Sequence, residues 1–153
     1  MNRKIITILL ITTIIEPGIV HSTENKFVNH VIDFDKAQSK LSLQKVIPYL
    51  SDKVYIKIKT CKNSIDIFDM ERFKRTFLSI QQHAELLSIN REVTKIEDCD
   101  NGFRCTIYSK LKERVVAYQG KYDKTTISND ITVVEKIGES LKISSINGEI
   151  LCK

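Results

Sequence analysis

The stretch REVTKIEDCDNGFRCTIYSKLKERVVAYQGKYDKTTISNDITVVEKIGESLKISSINGEIL, from Arg91 to Leu151, decides the fold class. Its texture is β, and three short breaks interrupt it: Asp100-Asn101-Gly102, Gln119-Gly120 and Ile137-Gly138-Glu139. Each break carries a glycine, as tight antiparallel connections prefer. The stretch therefore reads as four strands, Arg91 to Asp98, Arg104 to Tyr118, Lys121 to Lys136 and Ser140 to Leu151.

Upstream of this meander the clearest helix of the chain runs from about Asp69 to Leu87, capped by Asp66 or Asp69. Met70, Phe73, Phe77, Ile80, Ala84 and Leu87 recur at three- and four-residue steps and form one apolar stripe. Before it, Lys53 to Thr60 alternates strictly. Val54, Ile56 and Ile58 face one way, and Lys53, Tyr55, Lys57 and Lys59 the other, the period of a half-buried strand. Lys62-Asn63 signals a turn, and Ser64 to Ile67 reads as a short return strand. Glu24 to Leu50 carries two helical patterns, the second capped by Ser39 or Ser42 and made irregular at its end by Pro48. The order predicts an α+β domain: amino-terminal helices and one long helix packed on a curved antiparallel sheet of four long strands plus a short hairpin.

Composition agrees with one domain. The chain has 153 residues, 42% hydrophobic and 28% charged, with five Gly and two Pro, which excludes collagen-like and Pro/Gly-rich disordered classes. A net charge of +5 is mild, and the basic residues are spread out rather than clustered, which speaks against nucleic acid as the partner.

The first 22 residues have the layout of a secretory signal peptide. Met1-Asn2-Arg3-Lys4 is basic, Ile5 to Ile15 is an eleven-residue apolar run, and Val20-His21-Ser22 precedes the expected cleavage point. The run is shorter than the roughly 20 residues a membrane span needs. The competing reading is a buried amino-terminal helix. Cleavage would leave a domain of residues 23–153 with no transmembrane segment and a net charge lowered from +5 to +4. Export, to the periplasm of a bacterium or the medium, implies an oxidising compartment, so Cys61, Cys99, Cys105 and Cys152 read as two disulfides. None of them forms a CxxC pair, which argues against zinc, and no metal site is expected.

The order of elements and its local wording resemble the nuclear transport factor 2-like superfamily, of the cystatin-like type of fold. YLSDKVYIKI (Tyr49 to Ile58) resembles its short helix entering the first strand, and IDIFDMERFKRTFLSI (Ile65 to Ile80) its second strand and following helix. REVTKIE (Arg91 to Glu97) matches the next strand, and TTISNDITVVEKIGESLKISSINGE (Thr125 to Glu149) the closing hairpin. Leu141 stands where the family usually has Trp. The resemblance implies a sheet bent into a cone around the helices. Such a cone either holds a small ligand, as in ketosteroid isomerases and related dehydratases and hydrolases, or is filled with side chains and serves as an interaction module. It also allows a homodimer through the open sheet face.

Four cysteines permit three pairings. Cys99 and Cys105 flank the first tight turn of the meander, so they are expected to pair, given a bulge or longer loop there. Cys61–Cys152 follows by elimination and would join the end of the first strand to the end of the last. Four free thiols in a cytosolic protein are the alternative.

No short catalytic or cofactor motif is present: no G-x-S-x-G, P-loop, GxGxxG or HExxH, so no cofactor is expected. His83, on the flank of the long helix's stripe, is the candidate for acid–base work, against an ordinary structural role. Asp33 and Asp35 lie where a cone mouth would be, with helix-surface solvation the blander reading. Lys53, Lys57 and Lys59 on one strand, and Tyr108, Lys110, Lys112 and Arg114 on another, could face an acidic protein, an anionic envelope lipid or nucleic acid. A solvated face, with the first three protecting an edge strand, is the favoured reading. A cystatin-type inhibitor is disfavoured because the Q-x-V-x-G loop is absent. Two readings remain: an exported, non-catalytic module binding a protein or small ligand, and a small-molecule isomerase, dehydratase or hydrolase. An open interior with two or more converging polar groups would favour the second, and a filled apolar interior would exclude it.

Overall fold

A computed structural model describes residues 18–99 and 101–152, with side chains in the first helix from Glu24 onward. The leader expected over residues 1–22 lies outside the described residues as far as position 17. Helix α1 spans Gly18–Ser39 and α2 Leu43–Val46, followed by a 3₁₀ turn, Ile47–Tyr49, that accommodates Pro48 in its first positions. The remaining elements are β1 (Leu50–Lys59), β2 (Ile65–Phe68), α3 (Met70–His83), β3 (Ala84–Glu97), β4 (Arg104–Ala117), β5 (Tyr122–Ile137) and β6 (Ser140–Ile150). This is the expected α+β architecture, three helices against one curved sheet.

The sheet order is β2-β1-β6-β5-β4-β3. All neighbours are antiparallel except β1 and β6, which run parallel from Tyr55↔Ser145 to Lys59↔Glu149. The expectation of a wholly antiparallel sheet is corrected here. The last strand returns across the sheet and inserts beside the first, so β1 is interior and β2 forms the edge. Lys57 and Lys59 therefore do not guard an edge strand, while Lys53 lies beyond the stretch of β1 that β2 covers.

A second correction concerns α3. Asp69 caps it, its Oδ1 accepting the Arg72 N–H at 2.8 Å, but it ends at His83 rather than Leu87. The apolar spacing runs on through Ala84 and Leu87 by coincidence. From Ala84 the backbone is extended, because the β3–β4 ladder reaches back to Ala84↔Ala117 and captures the chain.

Strand parity sets the core. Val54 and Ile56 of β1, Leu87 of β3, Cys105 and Ile107 of β4, Val134 of β5 and Ile143 and Ile146 of β6 point inward. They meet Phe27, Val31 and Phe34 of α1 and Met70 and Phe77 of α3. Register shifts in the β3–β4, β5–β6 and β1–β6 pairs bend the long strands around these helices.

Both disulfides are present, Cys61–Cys152 and Cys99–Cys105, separated by 91 and 6 residues. The parallel pairing explains the first, since β1 and β6 end on the same side of the sheet. In the chain-entropy account, a loop of that size contributes about 4–5 kcal/mol and the short one about 2 kcal/mol. Urea unfolding of the Cys61→Ser/Cys152→Ser variant should thus show a loss roughly twice that of Cys99→Ser/Cys105→Ser.

Candidate functional site

The inward faces of β3, β4 and β5 carry polar residues in otherwise apolar rows: Arg91 among Leu87, Ile89 and Val93; Ser109 and Glu113 among Ile107, Leu111 and Val115; Ser128 and Asp130 before Thr132 and Val134. From α1, Asp35 points to the same region and is only 4% exposed. Helix-surface solvation, the bland expectation for this residue, is corrected by that burial.

Arg91 and Asp35 form a two-bond ion pair, Nε to Oδ2 at 2.6 Å and Nη2 to Oδ1 at 3.1 Å. The third guanidinium nitrogen, Nη1, donates to Ser109 Oγ at 3.1 Å. Ser128 Oγ donates to Asp130 Oδ1 at 2.6 Å. Asp130 reaches inward because its neighbour across β6 is Gly148. A Cβ there would stand 3.2 Å from Asp130 Oδ1 and 2.9 Å from Ile58 Cδ1.

Glu113 and Asp130 line a cavity of about 210 Å³ that opens between α1, α3 and the sheet. Phe34, Phe68, Phe73 and Phe77 supply much of its apolar wall, and Arg91 borders it. Burial pushes the Glu113 carboxyl up, and the neighbouring Asp130 and Asp35 push it further, against a pull from Lys124. Burial likewise raises Asp130, with Ser128 and Arg91 opposing. Burial raises Asp35 against the hold of Arg91. A carboxyl held nearer neutral pH in an apolar pocket can both release and accept a proton.

The residues singled out from sequence lie elsewhere. His83 is exposed in the last turn of α3, its Nδ1 2.8 Å from Ser79 O and its ring 5.3 Å from that of Tyr118. Asp33 is exposed and pairs with Lys36 at 3.0 Å. Lys53, Lys57 and Lys59 share the outward sheet face with Tyr108, Lys110, Lys112 and Arg114. Strands β6 and β5 separate the two groups, however, and they do not converge. Lys59 pairs with Glu149 at 2.7 Å, Arg114 grips Asp123 at 2.9 and 2.7 Å, and Lys95 stands over the Tyr108 ring. Among the described residues no group of three or more His, Cys, Asp or Glu is arranged to hold a metal ion.

No protein-family model and no curated protein matches the sequence. Solved structures do match the fold. A ketosteroid isomerase-like protein from Erwinia carotovora atroseptica superposes with a TM-score of 0.65 at 8% identity, covering 85% of this chain and 97% of its own. A nuclear transport factor 2-like protein of unknown function from Shewanella baltica gives 0.61 at 9%, over 87% and 97%. A hexachlorocyclohexane dehydrochlorinase from Novosphingobium barchaimii gives 0.65 at 9%, over 87% and 90%. At such identities the similarity concerns the fold, which is the nuclear transport factor 2-like cone.

Two outcomes follow for stability. Arg91→Leu leaves Asp35 a buried, unpaired charge and should cost about 3–5 kcal/mol in urea unfolding, with most of it recovered in Arg91→Leu/Asp35→Leu. For Glu113 the folded value is raised, so the native state holds its proton longer than the unfolded chain. The stability this gives is complete below the ordinary carboxylate range and is lost as pH rises through the folded value. Glu113→Gln should flatten that fall, read as melting temperature against pH.

Proposed function

We propose that this protein is an exported, disulfide-stapled domain that binds a small molecule inside its cone and moves a proton on it. Glu113 is the acid–base group and Asp130 its charged neighbour. The observation that carries the reading is the pair of carboxylates facing an open, largely apolar cavity. Among the described residues that line it, the guanidinium of Arg91 is already taken by Asp35. Polar groups that converge on an open interior favour the enzymatic alternative over a purely structural module. Two of the matching structures, a ketosteroid isomerase-like protein and a dehydrochlorinase, bear names of proton-moving chemistry and lend support.

Size narrows the ligand. A dry cavity of about 150 Å³ binds benzene, so about 210 Å³ suits a molecule of one ring with a short substituent. The role of Glu113 would be to take a proton from a carbon or oxygen of that ligand and return it to another position or to a departing group. Low polarity around the carboxylate would keep its basicity above that of a solvated one. Export is supported by the cysteines, all four of which are bonded in pairs, as an oxidising compartment favours.

Proton transfer can be followed without knowing the natural substrate. One-ring ketones, with and without an amino substituent, are incubated with the oxidised protein in D₂O, and loss of α-proton signals is read by NMR. Exchange above buffer is expected for the compounds that also raise the melting temperature, falling by about 10²–10⁴-fold in Glu113→Gln. Thermal shifts with no exchange in any compound would leave a binding domain and overturn the catalytic half of the reading.

A further inference from the structure

Charge within the cone is unbalanced. Asp35, Glu113 and Asp130 face inward against the single guanidinium of Arg91, and every nitrogen of that guanidinium is engaged by Asp35 or Ser109. Asp130 is 6% exposed; Ser128 occupies its Oδ1, and among the described residues no donor meets its Oδ2. Glu113 has no hydrogen-bond partner among the described residues. Lys124, the remaining cation near Glu113, is exposed on β5. Two carboxylates thus stand at the wall of an apolar cavity with no cation hydrogen-bonded to either among the described residues, and desolvated charges are costly until one arrives.

The rest of the wall says what kind of counter-charge fits. Four phenyl rings border the space, and Phe73 and Phe77 stack with centroids 5.8 Å apart. The faces of aromatic rings attract organic cations, most strongly where water is excluded. A hydrated metal ion would find no cluster of three ligating side chains here. An anionic ligand would meet Glu113 and Asp130 at close range in a medium of low dielectric.

We infer that the cavity takes a small organic ammonium ion, a one-ring amine in its protonated form, seated at the Asp130 carboxylate and against the phenyl rings, with Glu113 adding negative charge from further along the same wall. The inference rests on the reading of this cavity as the ligand site and adds the charge of the ligand. In the bound state the ammonium donates to Asp130 Oδ2, with Glu113 four residues further along the β4–β5 ladder, and its hydrocarbon part covers the wall formed by Phe34, Phe73 and Phe77.

Three isosteric probes test the sign of the charge: benzylammonium, benzyl alcohol and benzoate, titrated calorimetrically into the intact, oxidised protein at pH 7. Benzylammonium should bind at least tenfold more tightly than benzyl alcohol, and benzoate should not bind. Asp130→Asn should weaken benzylammonium by about tenfold or more and Glu113→Gln by several-fold, each change exceeding that for benzyl alcohol; Glu113, less buried than Asp130, serves if Asp130→Asn fails to fold. Benzyl alcohol or benzoate binding as tightly as benzylammonium would overturn the inference while the cavity reading stands. Benzylammonium binding unchanged in both variants would place it outside the cone and overturn the inference as well. If none of the three binds, the cavity is not a ligand site and both readings fall.

Discussion

The ion pair between Asp35 and Arg91 ties the structure together and also creates its chemistry. It joins α1 to β3 through residues 56 apart in sequence, in a two-bond fork that fixes the helix against an edge strand of the sheet. A buried pair of this kind is weak evidence for net stability, but losing either partner is costly, so the two are locked to one arrangement. The same fork consumes the cation that, among the described residues, borders the cavity. Everything distinctive about the cavity follows from that use: Glu113 and Asp130 keep their negative charge, or their proton, in a pocket walled by phenyl rings.

Most of the fold was legible in local pattern because the strands are long and their faces differ. The alternation of β1 placed Val54 and Ile56 inside, and the glycine-bearing breaks divided the meander near the correct points. What the pattern could not carry is pairing at a distance. Strand β1 reads as an edge strand because its only nearby partner is β2, and nothing local announces that β6 will return to its other side. The end of α3 was misread for a related reason. The helical spacing of Ile80, Ala84 and Leu87 continued, while the β3–β4 ladder, with Ala117 as partner, decided the backbone.

The candidate site was half legible. The parity that sets Tyr108, Lys110, Lys112 and Arg114 outside also sets Ser109, Glu113 and their row inside, so a Glu on the apolar side of β4 was a readable anomaly. Asp130 in β5 and Arg91 in β3 are anomalies of the same kind, and Gly148 in mid-strand marks the space the Asp130 carboxylate needs. A charged residue on an inward row draws attention only when its row is followed across several strands, since each is unremarkable within its own segment. His83 attracted notice as a histidine on the flank of the helical stripe, and the structure places it on the exposed end of α3, apart from the cavity that Glu113 and Asp130 line.

Placing the last strand beside the first has a consequence for how the chain reaches this structure. Strand β1 is complete by Lys59, yet its inner neighbour spans Ser140–Ile150, so its ladder cannot close until nearly the whole polypeptide is available. Contacts of such sequence separation are slow to form, because loop-closure entropy is lost before the pairing returns anything. A chain emerging from a ribosome or threading through a membrane pore would expose an unpaired β1, with only β2 beside it, for most of its passage. Closure of this sheet therefore waits for β6, and the Cys61–Cys152 bond, formed when an external oxidant takes two electrons from the paired thiols, locks an arrangement that β6 has brought together.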